Sequence, residues 1–155
     1  MKKQIKLQPI IIGIIALLLQ TVVKGDVVLS KNGSTQYIII NEAESTAPEK
    51  WAAKELSRIL TKITGAEFKI QQSDNNTPST IIIVGRSAVA KKYFSEVNFD
   101  ALDLEEVVIK SSGNKLLISG GRPRGTIYAV SRFLQTQCGV RYWTPYSEKI
   151  PTNPN

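Results

Sequence analysis

The chain has 155 residues, with 20 Lys and Arg against 13 Asp and Glu, no histidine and one cysteine, for a formal charge of +7. One thiol cannot form an internal disulfide, and without histidine neither the usual zinc ligand sets nor a Ser-His-Asp triad can be assembled. Four of the 20 basic residues (Lys2, Lys3, Lys6 and Lys24) precede residue 26 with no acid among them, which leaves 16 against 13, about +3, too small an excess to argue for a nucleic-acid partner.

Lys2, Lys3 and Lys6 lead into an uncharged apolar run from Ile10 to Leu19. A bilayer span takes roughly 20 apolar residues, so this shorter run reads as the core of a secretory signal peptide over residues 1–25, with cleavage expected before Asp26. An exported protein follows, periplasmic or extracellular, with no membrane attachment after signal cleavage. The remaining chain is long enough for one core; a single domain is expected over 26–146 and a linker over 147–155.

Val27 to Leu29 and Tyr37 to Ile40 are short β-prone runs on either side of Lys31-Asn32-Gly33-Ser34, a turn signal that predicts a hairpin or two neighbouring strands. Thr46-Ala47-Pro48-Glu49 has the form of a capping box, and Ala52, Leu56, Ile59, Leu60 and Ile63 recur behind it at helical spacing until Gly65. Phe68 to Gln71 and Thr80 to Val84 read as strands separated by a polar loop. The unbroken Ile81-Ile82-Ile83-Val84 predicts a strand covered on both faces.

A short helix is expected over Ser87 to Val97, and then an antiparallel hairpin of Glu106 to Lys110 with Lys115 to Ser119 around Ser111-Ser112-Gly113-Asn114. Ile127, Val130, Phe133, Leu134 and Cys138 mark a further amphipathic helix stopped at Gly139, and Val140 to Trp143 a last strand. Strands and helices that alternate yet include hairpins predict an α/β (α+β) fold: a mixed sheet with helices packed on it in a two-layer or three-layer sandwich.

The loop Gly120-Gly121-Arg122-Pro123-Arg124-Gly125-Thr126 has the outline of a phosphate-binding loop, but Thr126 stands where that loop needs lysine, and Pro123 removes one amide donor. It reads first as a tight strand-to-helix turn. The alternative is an anion site in which Arg122 and Arg124 flank free helix amides. Arg141, Tyr142 and Trp143 form a second cluster, suited to the core, to an interdomain contact or to stacking on sugar rings. Glu105 and Glu106 are adjacent and on a strand would point to opposite faces, so they make no carboxylate pair. Asn32-Gly33-Ser34 and Asn75-Asn76-Thr77 match glycosylation acceptors, a pattern short enough to arise by chance. No catalytic residue, cofactor or metal is expected.

Several of these segments carry a resemblance when taken together. Ala53-x-x-Leu56 through Ile63-Thr64-Gly65, Ile82-x-Val84-Gly85, Leu117 and Ile118, Gly120 through Val130, and Cys138-Gly139-Val140-Arg141-Tyr142-Trp143-Thr144-Pro145 resemble the N-terminal α/β domain that precedes the catalytic barrel in family 67 α-glucuronidases. A similar domain precedes the barrel in family 20 β-hexosaminidases. The resemblance implies an accessory, non-catalytic role in polysaccharide degradation, with a (β/α)₈ barrel or a glycan as partner, and it carries no catalytic residue onto this chain. An independent carbohydrate- or anion-binding module using Arg122, Arg124, Arg141 and an exposed aromatic is the alternative. A self-sufficient enzyme would need a pocket of convergent ionisable groups.

Overall fold

The computed structural model describes residues 27–74, 76–144 and 147–154, so the expected signal peptide, Asn75 and Pro145 lie outside the described residues. In chain order the elements are β1 (Ile38–Ile40), α1 (Ala47–Thr64), β2 (Ile70–Gln71), β3 (Ile81–Val84), α2 (Ala88–Tyr93), β4 (Val107–Ser112), β5 (Lys115–Gly120), α3 (Gly125–Thr136), β6 (Arg141–Thr144) and β7 (Ser147–Lys149). Five strands make one mixed sheet in the order β2-β1-β3-β5-β4, parallel except for β4, and β6 and β7 pair as a separate antiparallel ribbon. The expected α/β architecture is therefore present.

Alternation along the central strands decides which helix covers which face. Ile39, Ile82, Val84, Leu116 and Ile118 pack with α1 and α3 in one apolar cluster. Ile40, Ile81, Ile83 and Leu117 face a second cluster built on Ala90 of α2, Phe94 and Phe99. All four residues of β3 are at most 1% exposed, as a parallel strand roofed on both faces must be. The result is three layers, with α1 and α3 on one side and the short α2 on the other.

α1 begins and ends as its sequence dictates. Thr46 accepts from the Glu49 amide and the Glu49 side chain accepts from the Thr46 amide, which completes the capping box; Gly65 closes the helix at φ 75°. Ser87 caps α2 through the Ala90 amide, but that helix stops at Phe94, short of the expected Val97.

Two expectations for the ends of the domain differ from the structure. Lys31 and Ser34 do form a tight turn, with Asn32 and Gly33 both at positive φ, yet only one bridge is made and residues 27–29 are not a strand. Both edges of β1 are already occupied by β2 and β3, which leaves no free edge for a hairpin partner; Val27 and Leu29 pack instead against the larger cluster. At the other end, Ser147–Lys149 of the expected linker is β7, the Asn153 amide donates to the Ile63 carbonyl (2.7 Å), and the Gly33 amide donates to the Pro154 carbonyl (3.0 Å).

Candidate functional site

The glycine-rich corner joins β5 to α3, and close backbone approach explains its composition. A Cβ on Gly121 would lie 1.7 Å from the Asp103 carbonyl oxygen, and one on Gly120 would lie 2.4 Å from the Gly125 backbone and 2.5 Å from the Glu106 carbonyl oxygen. The Gly121 amide donates to the Glu106 carbonyl (2.9 Å) and the Gly125 amide to the Gly121 carbonyl (2.7 Å). Two amides that an anion would need are thus occupied within the protein.

Arg122 is bound from below by Glu49. That carboxylate is 1% exposed and sits one turn into α1; its oxygens accept from the Thr46 amide (2.8 Å), the Thr46 hydroxyl (2.9 Å), the Arg86 amide (3.1 Å), and Arg122 Nε (3.3 Å) and Nη2 (3.2 Å). Burial on its own would raise the Glu49 pKa, but the bonds from Thr46, Arg86 and Arg122 outweigh it and leave the carboxyl below its ordinary range. One carboxylate therefore ties the start of α1 to the loop after β3 and the loop after β5. This is a structural clamp, and the turn reading of the corner accounts for it.

The five expected contact residues do not converge. Arg124 is the N-cap of α3 and is exposed, whereas Arg141 donates through Nη1 to the Gln135 and Val140 carbonyls beyond the other end of that helix. Twelve helical residues separate the two ends by roughly 18 Å. Only Tyr142 and Trp143 share a site, and they share it with Trp51, Glu55, Arg58 and Glu148, none of which the sequence pattern singles out.

That site is a groove of about 610 Å³ between α1 and the β6–β7 ribbon, lined by Trp51, Glu55, Arg58, Tyr142, Trp143 and Glu148, with Thr144 and Ser147 at its edge. Trp51, Glu55 and Arg58 are spaced i, i+4, i+7 and so fall along one stripe of α1, turned away from the buried stripe of Ala52, Leu56 and Ile59. Across from them, the register of β6 against β7 shifts between Tyr142 and Thr144, which makes Trp143 the extra residue of a bulge; bulges re-aim side chains in this way. Trp143 is 66% and Trp51 53% exposed, and they are the only tryptophans in the chain.

The polar groups of the groove are already ordered. Arg58 donates to both oxygens of Glu55 (2.8 and 2.7 Å) and to both of Glu148 (each 3.2 Å). These bonds hold the Glu148 carboxyl below its ordinary range and the Arg58 guanidinium above its own. Burial, with Glu55 and Glu148 beside it, raises the Tyr142 phenol. The missed signal was the Trp51–Glu55–Arg58 stripe, which is invisible when only the apolar stripe of a helix is traced.

Among the described residues no group of three or more His, Cys, Asp or Glu is placed to hold a metal ion, and no helix is long and apolar enough to cross a membrane. The chain matches no family model, and no curated protein matches it.

Proposed function

We propose that this chain is a non-catalytic accessory α/β domain of an exported carbohydrate-active enzyme, acting beside a catalytic (β/α)₈ barrel of the α-glucuronidase or hexosaminidase kind. The observation that carries this reading is the aromatic face of Trp51, Tyr142 and Trp143. Tyr142 is half-buried against the core, but the Trp51 and Trp143 rings, exposed together on one side of the domain, add little to that core and mark a surface kept for contact with something outside it. The Glu49 clamp supports the same reading, because the most buried carboxylate among the described residues is committed to holding the corner. Export, to the periplasm or beyond the cell, is part of the proposal and rests on the charge and apolar pattern of residues 1–25.

Turnover of nitrophenyl α-glucuronides, N-acetylhexosaminides and neutral glycosides by the purified chain tests it. The expected result is no rate above the blank. Hydrolysis that copurifies with the chain and disappears when one carboxylate is changed to its amide would overturn it.

A further inference from the structure

We infer that the groove between α1 and the β6–β7 ribbon is a binding site for a short neutral oligosaccharide. This rests on the accessory-domain reading and names the ligand of its aromatic face. Three features of the groove select that chemistry.

The first is shape and polarity. A pyranose ring has apolar C–H faces and a rim of hydroxyls, so it is matched by exposed aromatic rings next to fixed hydrogen-bonding groups. Trp51 and Trp143 supply the rings from opposite walls, and Glu55, Arg58 and Glu148 supply the polar groups between them. A volume of about 610 Å³ is within the range of small-ligand sites, roughly 300–1,000 Å³.

The second is charge. Two carboxylates and one guanidinium line the groove, and Lys62 pairs with Glu148 from its edge (3.7 Å), so its charges balance. The guanidinium is engaged on both sides by Glu55 and Glu148 through four of its five N–H donors, while the carboxylate oxygens keep lone pairs to spare. The groove therefore offers acceptors to a ligand rich in hydroxyl donors, while its cations, Arg58 and Lys62, are already paired with its own carboxylates and not set aside for a uronate. The anion-binding alternative built on Arg122, Arg124 and Arg141 concerns other surfaces, since none of the three lines this groove.

The third is pre-organisation. Trp51 stands on an 18-residue capped helix and Trp143 on a bulge fixed by strand pairing. Arg58 bridges the helix to the ribbon through Glu148, so the two walls keep their spacing before a ligand arrives. A protein partner would also use Trp, Tyr and Arg, but glutamate is depleted at protein interfaces, and Glu55 and Glu148 line this groove beside its aromatics.

Because the only two tryptophans are both in the groove, intrinsic fluorescence reads it directly. Titration of the full chain with cellopentaose, xylopentaose and chitopentaose at millimolar concentrations should give a saturable change with at least one of them. Trp51→Ala and Trp143→Ala, each shown by circular dichroism to be folded and each retaining one reporter, should weaken that binding about tenfold, the scale of one lost aromatic contact. Oligogalacturonate should bind more weakly than the best neutral probe. No saturable change with any neutral probe, affinity unaltered in both variants, or tighter binding of oligogalacturonate would each overturn the assignment. So would sugar-independent self-association of the parent that Trp143→Ala abolishes in sedimentation, since the groove would then be an interface between copies. Glycoside turnover in the assay above would count against the accessory reading alone and leave this titration interpretable.

Discussion

Replacing Glu49 by alanine should cost more than any other single side-chain truncation at the start of α1. The carboxylate receives both bonds of Thr46, the Arg86 amide and two donors of Arg122. Loss of the Glu49 half of the capping box, its acceptance from the Thr46 amide, costs about 1 kcal/mol. Leaving the part-buried Arg86 amide without its acceptor costs roughly 1–3 kcal/mol. Arg122, whose side chain is 39% exposed, recovers most of its loss from water, so its share is about 0–1 kcal/mol. The expected total is about 2–5 kcal/mol, a large part of the roughly 5–15 kcal/mol that holds a domain of this size together.

Urea unfolding followed by far-UV circular dichroism measures it, with Glu49→Gln and Arg122→Ala alongside. Glutamine keeps the volume but turns an NH₂ donor toward the Thr46 or Arg86 amide, so it should recover less than half of the loss. Arg122→Ala should cost no more than about 1 kcal/mol. If Glu49→Ala costs under about 1 kcal/mol, or if Arg122→Ala costs as much as Glu49→Ala, the clamp does not act by capturing backbone amides and the reasoning fails.

Two further predictions concern the same corner. Gly121→Ala forces a Cβ to 1.7 Å from the Asp103 carbonyl oxygen and should destabilise by about 3 kcal/mol or more, while Gly113→Ala, in open space at φ 54°, should cost only about 1 kcal/mol; thermal melts of equal midpoint for the two would refute the close-packing account. Because its hydrogen bonds hold Glu49 below the usual carboxyl value of 4.5, its contribution is complete above that pH and is lost as pH falls through the lower folded value. The urea midpoint of the parent should therefore drop more steeply on acidification below 4.5 than that of Glu49→Gln, and parallel curves would show that this carboxylate is not the titrating group.

Much of the framework was legible because its causes are local. The capping box, the left-handed Gly65 stop, the apolar stripe of α1, the doubly covered β3 and the β4–β5 hairpin each depend on residues within one or two turns of each other in the chain. The hairpin expected around Asn32-Gly33 failed for the opposite reason: the turn is local, but strand pairing needs a free edge, and the sheet order β2-β1-β3 had already used both edges of β1. The same distinction governs the site. Arg122, Arg124 and Arg141 look alike in sequence, yet one closes the Glu49 clamp, one begins α3 and one caps its far end.

What neighbouring residues alone dictated is the class of the fold and the position of its helices and central strands, because periodicity, caps and turn chemistry act over a few residues. Which side chains meet was decided only when distant segments packed. Glu49 reaches Arg122 across 73 positions and Arg58 reaches Glu148 across 90, and no local rule couples residues so far apart. The groove exists because α1 turns its Trp51–Glu55–Arg58 stripe outward at the point where the ribbon, bent by its bulge, returns with Trp143.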